Sequence, residues 1–309
     1  MNTQTNTSES GFERAASAPA PLAATRPLYW SVRRELWENR AVVIAPLAVA
    51  CVALLGFLIG SFALPNRVRA ATMLDPVKRA DALAEPYGFV AMLLVFTAFI
   101  VGVFYCLDAL HGERRDRSIL FWKSMPVSDL TTVLSKAAIP IVVLPAVVLA
   151  ITVAVHLLML LINAAALSAR DVGAAALSDL PLAQLDVVLL YGLVVTALWH
   201  APLYGWLLLV SAWARRTPFL WAVLPLLAVC ILEQIAFGSS HFANLLADRL
   251  VGGYHAAFAA DAPHRHDVMP LTALEPLKFL SSPGLWLGLA SAAALLAAAV
   301  RLRRYRQPI

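Results

Sequence analysis

The sequence predicts an all-α, polytopic membrane protein with six transmembrane helices. Of its 309 residues 61% are hydrophobic and 14% charged, and the mean hydropathy of +0.75 lies far above that of soluble domains. The apolar residues fall in long uncharged runs instead of short amphipathic periods. Each run reaches the roughly 20 residues needed to cross a hydrocarbon core about 30 Å thick.

The first 25 residues are small and polar with no continuous apolar stretch, so they read as a disordered cytoplasmic tail and not as a cleaved signal. Residues 26–40, RPLYWSVRRELWENR, mix Tyr29, Trp30, Leu36 and Trp37 with Arg33, Arg34 and Arg40. That mixture suits the headgroup layer and predicts an interfacial elbow helix; a plain aromatic belt before a span has the same composition. The transmembrane domain then covers 41–300, with spans at about 41–64, 87–107, 137–163, 187–213, 217–238 and 279–300, and residues 301–309 form a basic tail. The third run stays apolar as far as Ala169, which predicts tilt or extension beyond the lipid.

Basic residues near span ends are retained in the cytoplasm, and an even number of spans puts both termini on one side. The side holding the termini carries 16 Lys and Arg, the other side 8. Both termini and the loop after the second span are therefore expected in the cytoplasm, in a bacterial inner membrane. The net charge of +5 then reflects topology and contact with membrane lipids, not affinity for nucleic acid.

No phosphate-cradling Gly-x-x-x-x-Gly-Lys-Ser/Thr occurs, and neither HExxH nor GxSxG is present, so no enzyme and no cofactor is predicted for this chain. Cys51, Cys106 and Cys230 lie in or at the end of apolar runs without paired spacing. His241, His255, His264 and His266, with Asp261 and Asp267, fall in a loop whose spacing reads as solvated polar chain, so no metal site is assigned. Inside the spans the candidates are His156 and Asn163, Thr196 and His200, and Glu233 and Gln234. Such groups either line a path or hinge, or hydrogen-bond between helices and fix their packing. Glu233 stands without a nearby cation in sequence and must be paired, protonated or close to water.

The loop between the second and third runs concentrates charge beside large apolar residues: ERRDRSILFWKSMPVSDLTTVLSK, Glu113 to Lys136. It reads as a charged turn, an apolar turn, a stop at Pro126, and a new helix started by Ser128 and Asp129. A short amphipathic helix is thus held between two spans on the cytoplasmic face, with lipid or another protein to bury against. Glu113-Arg114, Ser118-Ile119-Leu120, Ser124-Met125-Pro126-Val127-Ser128 and Lys136 resemble the segment after the second span in permease subunits of type 2 ATP-binding-cassette exporters. Arg117 stands where that family usually has Gly, and Met125 replaces the usual Leu. The resemblance implies a cytoplasmic coupling helix docked on a separate ABC ATPase subunit, with Glu113, Arg114, Arg115, Ile119, Phe121, Trp122, Met125 and Pro126 at the contact. It further implies a homodimeric or heterodimeric permease, and it suits the long 239–282 segment, where HFANLLADRLVGGYHAAF reads either as a re-entrant helix or as ordinary loop.

The function expected is export driven by ATP hydrolysis on the separate subunit, of a cargo that the scarcity of intramembrane charge tilts toward amphipathic or hydrophobic molecules. The alternative is a sensor or anchor that uses the same fold to recruit a cytoplasmic partner. The charge asymmetry is testable on its own: a reporter fused after Ile309, or inserted within residues 1–25, is expected in the cytoplasm and one near Pro263 outside. A cytoplasmic signal from the Pro263 site contradicts six spans.

Overall fold

The computed structural model describes residues 25–63, 75–124, 127–168, 180–259 and 269–305, and every regular element among them is helical. Six helices are long and apolar enough to cross a membrane: Ala41–Gly60, Lys78–Arg115, Asp129–Ser168, Leu182–Trp199, Pro218–Phe237 and Pro283–Tyr305.

Helix α1 (Thr25–Glu38) precedes the first span, α2 (Ala41–Gly60). The second span belongs to α3 (Pro76–Ala109), whose helix begins 11 residues before the apolar run expected from residue 87. Pro76 in its first turn suits a helix start, and KRADALAE, Lys78 to Glu85, is built largely of helix-forming residues. The segment after α3 is two short helices instead of one, α4 (His111–Arg115) and α5 (Ile119–Ser124). The chain turns between them at Arg117, whose φ of 57° is left-handed.

Ser128 starts α6 (Asp129–Ala138) as its spacing predicts, its hydroxyl accepting from Thr131 N–H at 3.1 Å. A π-helical turn at Ile139–Val143 absorbs Pro140, which has no N–H to give, and α7 (Leu144–Ser168) carries the third span onward. The fourth run is likewise interrupted. It forms α8 (Leu182–Trp199) and α9 (Ala201–Trp213), stepped at His200 just ahead of Pro202. The fifth span, α10 (Pro218–Phe237), ends at Gly238, whose φ of 63° is a left-handed cap that favours glycine. Helix α11 (His241–Ala257) occupies the stretch read as either re-entrant helix or loop. The short α12 (Pro276–Ser281) then leads into the sixth span, α13 (Pro283–Tyr305).

The first three spans bury Tyr87, Leu94, Leu144, Val148 and Met159 among themselves, and Leu208 of α9 joins the same core. Helix α9 runs against α13, where a side-chain carbon on Gly205 would come within 3.3 Å of the Ala292 carbonyl, so a small residue sets that close approach. Helix α10 is peripheral: Ala222 is its one buried residue, and Leu224, Leu227, Ile231 and Phe237 are exposed. For a helix of this hydropathy the solvent that suits that surface is lipid. Helix α1 and α13 both pack on α6, which brings them to the same end of the bundle.

Candidate functional site

That meeting point is a buried ionic cluster. Glu35 lies on the inner face of α1, fully buried, while Trp30 and Trp37 are exposed and carry the Arg33 guanidinium 5.2 and 4.9 Å from their ring centres. The Glu35 carboxylate accepts from Lys136 Nζ at 2.9 Å, Tyr105 Oη–H at 2.9 Å and Arg34 at 2.7 Å. Lys136, at the end of α6, also lies 3.1 Å from Glu113 Oε1, an ionic contact whose angle is not that of a hydrogen bond. The other Glu113 oxygen accepts from Arg303 of α13 at 3.1 Å, and Arg303 reaches Asp129 Oδ1 at 2.5 Å. Three carboxylates, Glu35, Glu113 and Asp129, are therefore balanced by Arg34, Lys136 and Arg303.

The balance is obligatory, because a charge taken out of water is tolerated only when paired. Burial by itself pushes the Glu35 carboxyl upward, but the Lys136 ammonium and then Arg34 outweigh it and hold the carboxyl below its ordinary value. Beside the cluster, Ser211 Oγ accepts from the backbone N–H of Leu110 at 3.0 Å and of His111 at 2.9 Å. Arg114 donates to the carbonyls of Ala212 at 2.8 Å and Ala214 at 3.1 Å, at the end of α9. Those are carbonyls that a helix C-terminus leaves without intrahelical donors. The 110–114 turn is thus fastened to α1, α6, α9 and α13 at once.

This geometry divides the residues expected to face a partner. Glu113, Arg114 and Ile119, expected at the contact, are buried inside their own chain, at 9%, 4% and 1% exposure, where Glu113 and Arg114 hold the segment in place. Facing outward are Arg115, which pairs with Asp108 and Asp116, and then Arg117, Leu120 and Phe121. Met125, Pro126 and the Trp122 side chain lie outside the described residues, as do His264 and His266.

The intramembrane candidates separate in the same way. Glu233 is not left without a partner: its oxygens accept from the backbone N–H of His241 and Phe242 and from Ser239 Oγ, each at 2.8 Å, so it closes the first turn of α11. His200 Nε2 meets the Leu250 carbonyl at 3.1 Å and ties the step between α8 and α9 to α11. His156 is buried between Asp186 Oδ1, 2.7 Å from Nδ1, and the Tyr87 carbonyl, 3.2 Å from Nε2. Because a carbonyl only accepts, His156 donates to Tyr87 from Nε2. Asn163 donates to Tyr87 Oη at 3.0 Å and completes this polar line across α3, α7 and α8. The bonds of His156, His200 and Asn163 are interhelical.

No protein-family model matches the chain, and neither a curated protein nor a solved structure matches it.

The cluster gives the first structural test. Removing one member of a buried ion pair costs about 3–5 kcal/mol, and the second anion on Lys136 places Glu35→Gln near the lower bound. Since the Glu35 carboxyl is held low in the folded state, its stabilisation is complete above the ordinary carboxylate range and is lost as pH falls through its folded value. Thermal unfolding of the purified chain in mild detergent is expected to show a lower midpoint for Glu35→Gln at pH 7 and a smaller loss on acidification than in the wild type. Parallel pH curves for the two proteins contradict the assignment.

Proposed function

We propose that the chain is the membrane-spanning permease subunit of an ATP-driven exporter and that the segment from His111 to Ser128 receives a separate ATPase on the cytoplasmic side. The observation that carries the reading is the fastening of that segment. Its outward residues can meet a partner, while Glu113 and Arg114 pass any displacement to α1, α6, α9 and α13 through buried charged contacts. A segment resting passively on lipid has no need of such an anchorage.

Arg117 supports the same reading. The exporter permeases that this stretch resembles usually have Gly at the corresponding place, and the left-handed φ of 57° is what glycine adopts at least cost. Here the turn is kept with Arg at a cost of about 1–2 kcal/mol. The exposed α1 aromatics with Arg33 suit an interfacial elbow, and both described chain ends share the side that the charge count assigns to the cytoplasm.

The contact itself is redrawn by burial. Leu120 and Phe121, 59% and 58% exposed, are the apolar anchors, and Arg115 and Arg117 with Asp116 leave their surroundings net positive. The complementary groove on the ATPase is therefore acidic and its binding weakens with salt. Affinity purification of the tagged chain from membranes is expected to bring down an ATP-hydrolysing subunit. Phe121→Ala combined with Leu120→Ala is expected to weaken that association by about 2 kcal/mol, roughly 30-fold, without changing the amount of permease in the membrane. Full retention of a coupled ATPase by the double variant removes the docking surface, and absence of any ATP-hydrolysing partner from the wild type favours a sensor or anchor.

A further inference from the structure

Away from the ionic cluster, a cavity of about 380 Å³ opens between α3, α7, α8 and the end of α11. Its lining is apolar apart from Thr196, the His156 ring and the hydroxyl-bearing Tyr254; Met92, Leu189 and Phe258 are among its apolar residues. Two glycines line it, Gly88 on α3 and Gly192 on α8. Neither has a positive φ, and a side-chain carbon built on either meets nothing within 4 Å. Glycine inside a helix costs about 0.5–1 kcal/mol relative to Ala, and at these two positions neither backbone conformation nor close approach asks for it. Their lack of a side chain leaves that space open.

The polar wall of that space is also built. His156 is 1% exposed and held from both sides, by Asp186 and by the Tyr87 carbonyl, so the ring cannot turn away from the cavity without breaking two hydrogen bonds. Among the described residues no Asp, Glu, Lys or Arg lines the cavity. Such a wall offers polarity but no ionic partner for a charged headgroup. The volume sits at the lower end of the about 300–1,000 Å³ typical of small-molecule sites, too small for the two chains of a phospholipid.

We propose that this cavity is a binding site for an uncharged single-chain amphiphile, of the long-chain alcohol class, with its chain along Gly88 and Gly192 and its polar end toward His156 and Thr196. The inference rests on six membrane-embedded helices and not on the ATPase, so it stands or falls separately from the exporter reading.

The test uses the full chain in phosphatidylcholine nanodiscs and a dodecanol that carries a photoreactive diazirine on its chain. In the wild type, label is expected on cavity residues such as Met92 and Tyr254, and unlabelled dodecanol is expected to compete it away. Gly88→Leu and Gly192→Leu project into open space, so both variants should keep the wild-type thermal midpoint while labelling falls about tenfold or more, the equivalent of excluding two methylenes. Dodecyl trimethylammonium and dodecanoate should compete far less well than the alcohol. Label that does not saturate, label that spreads equally to lipid-facing Ile231 and Ile235, undiminished labelling in the folded glycine variants, or stronger competition by either charged amphiphile each overturns the proposal.

Discussion

Charge removed from water has to find charge, and at one end of this bundle that requirement decides where four helices stand. Glu113 is drawn between Lys136 and Arg303, Lys136 is shared with Glu35, and Arg303 is shared with Asp129. Removing any member leaves its partners with fewer opposite charges in a site that water scarcely reaches, at a cost of up to several kcal/mol. In a lipid environment the hydrophobic effect does not draw one apolar helix to another, so contacts of this kind specify register where packing alone would leave it loose. The helix before the first span, the turn after the second, the start of the third and the end of the sixth become one mechanical unit.

The opposite end is held by weaker but similarly directional means. His156 and Asn163 bond α7 to α3 and α8, His200 bonds the α8–α9 step to α11, and Trp199 Nε1 donates to the Asp248 carbonyl at 2.8 Å. Glu233 ends α10 by receiving the first amides of α11. A bundle pinned at both ends, with a π-turn in the third span, a step in the fourth and a fifth span that touches little else, has defined places where it can bend and defined places where it cannot. Such a division suits a protein that turns a push at one end into rearrangement between its helices.

The parts of this structure visible in the sequence are those that depend on neighbours along the chain. Span number follows from runs of apolar residues, the start of α6 from Ser128 beside Asp129, and the turn before it from clustered charge. Contacts made across the fold left no such mark. Glu35 sits in RRELWENR as one acid among arginines, and nothing nearby in sequence says that its partners are Tyr105 and Lys136, 70 and 101 residues away. Arg303 reads as one more basic residue of a tail, yet it is buried against Glu113, 190 residues upstream. Glu113 and Arg114 stand out in the sequence as clustered charges, but composition does not report which way charges face, and the structure buries both. Asp186 stands one residue before the apolar run expected from 187, so the partner of His156 fell just beyond the expected span.

The central claim is that Glu113, through Lys136 and Arg303, couples the 111–121 turn to α1, to the start of the third span and to the sixth. Amide hydrogen exchange of the reconstituted chain tests it most directly, with Arg303→Met compared against the wild type. Coupling predicts slow exchange over 111–115 in the wild type, and faster exchange in the variant that appears together in 111–121, in 129–136 and in α1. An increase confined to the last turn of α13, with 111–121 and α1 unchanged, contradicts it.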